Sequence, residues 1–216
     1  MQAFKTIIFD WDGTLHESMV IYYPALMKSI RYLTDQGYIS HKTISEEDAK
    51  RYIGMNPKDM WKTFLPELDE SITSKASQII SEAMLDAIDQ RKARLYPQAL
   101  EILQALKNKG YTLIYLSNSK TYYMNKMSEA FGLNRYFDYM ICSEMYGFMP
   151  KKDILASIKH QFEQPMVMVG DRLIDIETGQ THGAKTIGCA YGYGSLDELK
   201  HADYIINNLI EILNIL

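Results

Sequence analysis

The sequence predicts an α/β fold: a parallel sheet with helices on both faces, interrupted near its start by an all-helical insert. Three observations carry this expectation. From Tyr96-Pro97 onward, short and nearly continuous apolar runs alternate with helical patterns, the mark of strands buried on both faces of a parallel sheet. One further run of that kind, Thr6-Ile7-Ile8-Phe9, stands alone near the N-terminus. Between Glu17 and about Arg94 the periodicity is helical, with no convincing strand. The expected division is residues 1–15 and 95–216 for the α/β core and residues 16–94 for the helical domain.

The elements follow in order. Residues 18–36 place Val20, Tyr23, Ala25, Leu26, Ile30 and Leu33 at helical spacing, with Gly37 as the stop. Ser45-Glu46-Glu47-Asp48 reads as a helix start with acids at the positive dipole end. Gly54-Met55-Asn56-Pro57 breaks the pattern, and Pro57 suits the first position of the next helix. A long amphipathic stretch over 71–91 carries Ile72, Ala76, Ile80, Met84 and Ile88 on one side. In the core, helices are expected over 98–109, 120–131, 151–161 and 175–182. Strands are expected over 111–116, 139–141, 165–169, 185–189 and 204–206. In such a sheet, ligands bind beyond the carboxyl ends of the strands.

Composition narrows the function. A chain of 216 residues that is 47% apolar and 23% charged fits one sizeable core with a smaller insert. A net charge of −4 provides no global basic field, which argues against a nucleic-acid polymer as main partner. Cys142 and Cys189 have no metal-type spacing and fit buried free thiols in a reducing compartment. No signal peptide and no run of membrane-spanning length is read. The expectation is a cytoplasmic protein without a membrane partner.

Four polar constellations fall at strand ends. In Phe9-Asp10-Trp11-Asp12-Gly13-Thr14-Leu15, two carboxylates stand one residue apart just past a strand. Like charges that close repel, a cost that a hard cation or a proton-transfer role would offset. A strand-ending turn is the alternative. Ser117-Asn118-Ser119 offers small polar groups suited to a phosphate oxygen, or else a cap for the next helix. In Gly170-Asp171-Arg172-Leu173-Ile174-Asp175, two acids four apart can face one point if a helix starts between them. The alternative is a capping Asp171 and a solvated Asp175. Lys151 and Lys152 follow Pro150 at a helix start, where a lysine opposes the dipole. Together, Asp10, Asp12, Asp171 and Asp175 offer oxygens for Mg2+, while Ser117, a lysine and turn amides offer a phosphate cradle.

These motifs resemble those of the haloacid dehalogenase-like hydrolase superfamily, of the kind with a helical cap inserted after the first motif. Asp10 through Leu15 is similar to the first motif, Ser117-Asn118 to the second, and Gly170 through Asp175 to the fourth. Gly183 through Gly188, Tyr191 through Ser195 and Ala202 through Ile206 resemble the phosphoglycolate phosphatase-like branch. The third motif departs from the pattern, since Met149-Pro150 stands where Lys-Pro is usual. Lys151 or Lys152 could then supply the ammonium from a shifted position, and Lys151 is favoured.

The resemblance implies a Rossmann-like core, a helical cap and Mg2+-dependent hydrolysis of a small phosphorylated metabolite. Phosphoglycolate, a sugar phosphate or a nucleotide are the candidate esters. Asp10 would be the nucleophile and Asp12 the acid–base. Gly13, Thr14, Ser117, Asn118 and Lys151 would hold phosphate. Asp10, Asp12, Asp171 and Asp175 would hold the metal, Asp12 through its backbone carbonyl. His16, Arg51, Gly54 and Lys58, with Trp61, are the candidates for reading the substrate. The alternatives are a phosphomutase of the β-phosphoglucomutase type and, motivated by Met149, a protein that only binds phosphate. The chain is expected to be a monomer or homodimer.

Overall fold

The structure is a computed structural model and describes residues 4–216. The chain divides into two units, one running to Glu17 and resuming at Leu95, the other spanning Ser18–Arg94.

The first unit is built on a six-stranded sheet with every pairing parallel. Its strands are β1 (Thr6–Phe9), β2 (Thr112–Ser117), β3 (Tyr139–Cys142), β4 (Met166–Gly170), β5 (Lys185–Cys189) and β6 (Tyr204–Ile206), in the order β3-β2-β1-β4-β5-β6. All four residues of β1 and all five of β4 are buried. They can be apolar throughout because helices cover both faces. Thr6 fits among them by donating its hydroxyl to the Glu163 carbonyl at 2.8 Å. The order reverses at β1, which has β2 on one side and β4 on the other. That reversal is the topological switch point, where a crevice opens beyond the strand ends.

Helices α5 (Ala99–Asn108), α6 (Thr121–Phe131), α7 (Lys151–Ile158) and α8 (Leu173–Thr181) connect the strands, and a short α9 (Leu196–Leu199) precedes β6. The cluster of Ile8, Ile114, Leu116, Ile154, Leu155 and Met168 joins three strands to α7. Two features differ from the sequence expectation. Helix α8 starts at Leu173, two residues early, because the Asp175 carboxylate accepts the Arg172 backbone N–H at 3.1 Å and caps the first turn. Helix α9 was not anticipated, although Ser195 and Glu198 form a reciprocal capping box there. Four residues are too few for periodicity to reveal a helix.

The second unit contains α1 (Met19–Asp35), α2 (Glu46–Ala49), α3 (Pro57–Phe64) and α4 (Glu70–Asp89), with one turn of 3₁₀ helix at Lys50–Tyr52. Gly37 ends α1 as expected: it adopts φ +72°, its N–H donates to Thr34 O, and Tyr38 N–H donates to Leu33 O. The buried face of α1 keeps Ala25, Leu26, Ile30 and Leu33 of the expected one, without Val20 and Tyr23. Tyr22, Ala25, Leu26, Ser29, Ile30 and Leu33 are buried, while Val20 is exposed. Ser29 can lie in that stripe because its hydroxyl donates to Ala76 O of α4 at 3.0 Å. Asn56 and Pro57 open α3 as a cap and first residue, the cap accepting the Asp59 N–H.

Candidate active site

Each chemical group arrives at the switch point from a different element. The Asp10 N–H donates to Val169 O at 2.9 Å, which extends the β1–β4 ladder one residue past Phe9. Asp10 is thereby locked beside Asp171, which follows β4. Asp175 lies in the first turn of α8, and its carboxylate turns back toward the same point. One carboxylate oxygen each from Asp10, Asp171 and Asp175 lies within 4.8 Å of the others, and all three residues are buried.

Lys151 enters this cluster from the first position of α7. Its Nζ donates to Asp10 Oδ1 at 2.7 Å and to Asp175 Oδ1 at 2.6 Å. Only 2% of its side chain is exposed. Lys152, next along the helix, points outward and is exposed. Met149 is 41% exposed and outside the cluster. Pro150 caps α7, so Lys151 takes its first position and can reach the strand ends.

Charge in the cluster is out of balance. Burial pushes the Asp10 carboxyl well above the usual carboxylate range; Lys151 pulls against this, and Asp175 and Asp171 add to the rise. Burial, then the Asp175 charge, pushes Asp171 up to about 7, against the Tyr193 amide, Arg172 and Lys151. Burial alone would lower the Lys151 ammonium, but Asp10 and Asp175 outweigh it and hold it above its ordinary value. Three carboxylates against one ammonium in a dry site leave room for more positive charge. The donors are hard carboxylate oxygens, which suit Mg2+.

Glycines let the backbone close around Asp171. Gly13 adopts φ +89°, and a Cβ there would lie 2.3 Å from Asp171 Oδ2. A Cβ on Gly192 would meet the Asp171 Cβ at the same distance. The Tyr193 N–H donates to Asp171 Oδ2 at 2.7 Å. Gly13→Ala is therefore expected to cost roughly 1–3 kcal/mol from backbone strain and overlap. A thermal midpoint equal to that of the parent would contradict it.

Asp12 stands apart from the three-acid group. Its Oδ1 accepts the Tyr123 hydroxyl at 2.8 Å and lies 3.2 Å from His16 Nδ1. Its side chain keeps 19% exposure, against 8% for Asp10 and 1% for Asp175. Ser117, the last residue of β2, is buried, and Asn118 beside it is half-buried. The helix-cap alternative for this stretch is not seen. Lys120 occupies the cap position of α6, and Glu144 Oε2 accepts the Thr121 N–H at 2.9 Å.

A family model described as haloacid dehalogenase-like hydrolase matches residues 7–189. The chain belongs to that family. A phosphoglycolate phosphatase of Vibrio parahaemolyticus is 27% identical over 99% of this chain and 96% of its own length. One of Aquifex aeolicus is 26% identical over 89% and 88%. A solved structure described as a predicted phosphatase from Clostridium acetobutylicum matches with TM-score 0.81 and 25% identity, over 99% of this chain and 98% of that one. One described as a predicted phosphoglycolate phosphatase from Haemophilus somnus matches with TM-score 0.78 and 25% identity, over 100% and 99%.

Against the motifs of the haloacid dehalogenase-like family, several expected roles shift. The Thr14 hydroxyl is buried and donates to Asp171 Oδ1 at 3.4 Å. His16 is fully buried against Trp11 and Asp12. Asp175 uses one oxygen on Lys151 and the other on the Arg172 amide, which makes it an anchor as well as a candidate ligand. In the helical unit, Arg51 pairs with Asp48 at 2.8 Å and Lys58 faces Glu70 at 3.8 Å. Trp61 is a core aromatic, donating its indole N–H to Ser77 at 2.6 Å. Gly54 takes φ +85° in the turn before α3. Sequence reasoning missed Tyr123 and the Gly192–Tyr193 backbone. The Gly-rich run near residue 192 was the available signal for the latter.

Proposed function

We propose that the chain is a Mg2+-dependent phosphatase that hydrolyses a small phosphate monoester through an aspartyl-phosphate on Asp10. The observation that carries this reading is the Lys151 ammonium bound between Asp10 and Asp175, beside Asp171, at the sheet's switch point. Asp10, Asp171 and the Asp12 backbone carbonyl would hold Mg2+, with Asp175 as a further ligand or as the anchor of Lys151. Bound there, the cation would neutralise carboxylate charge and polarise a phosphoryl oxygen.

The chain's own groups account for the rest. A carboxylate with its lysine partner already in place is oriented for in-line attack on phosphorus. Lys151, Ser117 and the Asn118 N–H would stabilise the equatorial oxygens, where charge gathers in the transition state. Asp12, the acid with access to solvent, would protonate the leaving oxygen and then take a proton from the hydrolytic water. The contact of Lys151 Nζ with Asp10 at 2.7 Å favours catalysis over the phosphate-only reading that Met149 motivates. Phosphoglycolate is the first ester to test, given the names of the relatives.

The test is a phosphate-release screen with Mg2+ over phosphoglycolate, sugar phosphates, nucleotides and an aryl phosphate, with Asp10→Asn as blank. Release from at least one ester, absent in the blank, is expected. No release from any ester would overturn the reading, and interconversion of sugar phosphates without release would make the protein a mutase.

Metal binding has a pH signature. Asp171 rises from an ordinary 3.8 to about 7 in the metal-free fold. Its contribution to stability is therefore full below the unfolded value and lost as pH rises through 7. Mg2+ competes with that proton for the same oxygens. At a fixed concentration a hundredfold above its Kd at pH 8, Mg2+ should raise the thermal midpoint by about 5–10 °C at that pH, and by less at pH 5. Midpoints with and without Mg2+ at the two pH values check this, and equal gains would contradict it.

A further inference from the structure

Asp12, Tyr123 and His16 form a second polar cluster whose elements lie far apart in sequence. Tyr123 sits in the first turn of α6 and donates its hydroxyl to Asp12 Oδ1 at 2.8 Å. His16 Nδ1 lies 3.2 Å from that same oxygen and 3.2 Å from the Tyr123 oxygen. The phenol has one proton, and it is used on Asp12. Nδ1 must then carry a hydrogen of its own, because otherwise three acceptors would converge with a single proton between them. Both donors therefore converge on one carboxylate oxygen.

The clamp itself cannot drift. The His16 ring stacks on Trp11, with centroids 5.6 Å apart and planes 15° apart, and Trp11 packs in turn against Tyr115 and Phe131. The His16 backbone is held as well, since its N–H donates to Trp11 O and its carbonyl accepts the Gly13 N–H. Tyr123 and His16 are both buried, whereas the carboxylate they grip retains access to solvent.

We propose that Tyr123 and His16 are positioning residues that fix the Asp12 carboxylate in one orientation, and that this equips the enzyme for alkyl phosphates, whose leaving oxygen must be protonated as it departs. The inference rests on the phosphatase reading and deepens it by naming the leaving-group class. An alkoxide is a poor leaving group and depends on a well-aimed acid. A nitrophenolate departs without one. Losing the aim of Asp12 therefore harms alkyl esters far more than aryl esters.

The experiment compares kcat and KM for phosphoglycolate and p-nitrophenyl phosphate, with Mg2+, in the parent, Tyr123→Phe, Asp12→Ala and the double variant. Tyr123→Phe is expected to lower kcat on the alkyl ester about 10- to 100-fold and on the aryl ester less than about threefold, with KM little changed. In the Asp12→Ala background the same substitution should have no further effect, because the residue it positions is gone. Equal losses on the two esters, or a loss that persists without Asp12, would overturn the proposal. His16→Ala should show the same ester dependence, and His16→Asn, whose amide can place an N–H near the Nδ1 position, should recover part of the loss. An Asn variant no better than Ala overturns the histidine's share. Should Tyr123→Phe not fold, the two His16 variants carry the same comparison. If the parent releases phosphate from neither ester, an alkyl ester found by the wider screen replaces phosphoglycolate; if the screen finds none, the phosphatase reading fails, and the clamp is decided by a crystal structure of Tyr123→Phe. Several Asp12 rotamers would support it, and one unchanged rotamer would overturn it.

Discussion

Asp10→Asn lowers kcat for phosphate release by at least about 10⁴-fold on every ester the protein accepts, since without the nucleophile only binding and electrostatic stabilisation remain. The substitution keeps size and replaces one acceptor oxygen by an amide. Lys151 retains Asp175 as partner, and the extended β1–β4 ladder is untouched because it uses the Asp10 backbone. The folded state therefore survives while turnover does not. Removing the Asp10 carboxylate also removes its repulsion with Asp175 and Asp171, which helps to hold the Asp10 carboxyl above its ordinary range. The metal-free variant is expected to be at least as stable as the parent at pH 8. Turnover retained within tenfold would contradict the assignment.

Lys151→Ala has the second large effect, and it acts on both rate and stability. The ammonium is buried and donates to two carboxylates at 2.7 and 2.6 Å. Removing one partner of a buried ionic group leaves the others uncompensated, at a cost of about 3–5 kcal/mol. The acids can relieve part of this by taking up protons, so the destabilisation is larger at pH 8 than at pH 5. The rate on phosphoglycolate should fall roughly 10²- to 10³-fold, the scale for losing one preorganised donor to a transition-state oxygen. Lys152→Ala, at an exposed position, should change stability by less than about 0.5 kcal/mol and leave the rate intact. Kinetics and thermal melts of the two variants check this pair directly. A full rate in Lys151→Ala would show that the phosphate's positive partner lies elsewhere.

The sheet was legible because its strands, buried on both faces in β1 and β4, read as apolar runs, each bounded by a Gly, Pro or polar cluster. The acids were legible for a related reason. Asp10 and Asp171 each follow such a run directly, and in a parallel sheet all strand ends share one edge. Little in the local sequence separates Lys151 from Lys152; in the structure Pro150 is the cap, Lys151 starts α7 and reaches the acids, and Lys152 is exposed. What escaped was set by contacts between distant residues. Tyr123 meets Asp12 from 111 positions away, and nothing in its local sequence marks that contact. Thr14 was assigned as part of the first motif and His16 by nearness to it, but the turn that returns the chain to Gly13 buries both. Ser29 was not read into the buried face of α1, because its acceptor is a carbonyl of another helix. Arg51 and Lys58 have local acidic partners, Asp48 and Glu70, that a motif comparison does not weigh.

The central claim is covalent transfer of phosphorus to Asp10, and stereochemistry at phosphorus tests it whether or not the intermediate accumulates. Hydrolysis of an accepted ester made chiral at phosphorus with oxygen isotopes should proceed with net retention, the sum of two in-line displacements. Net inversion would mean direct attack by water and would contradict the role given to Asp10.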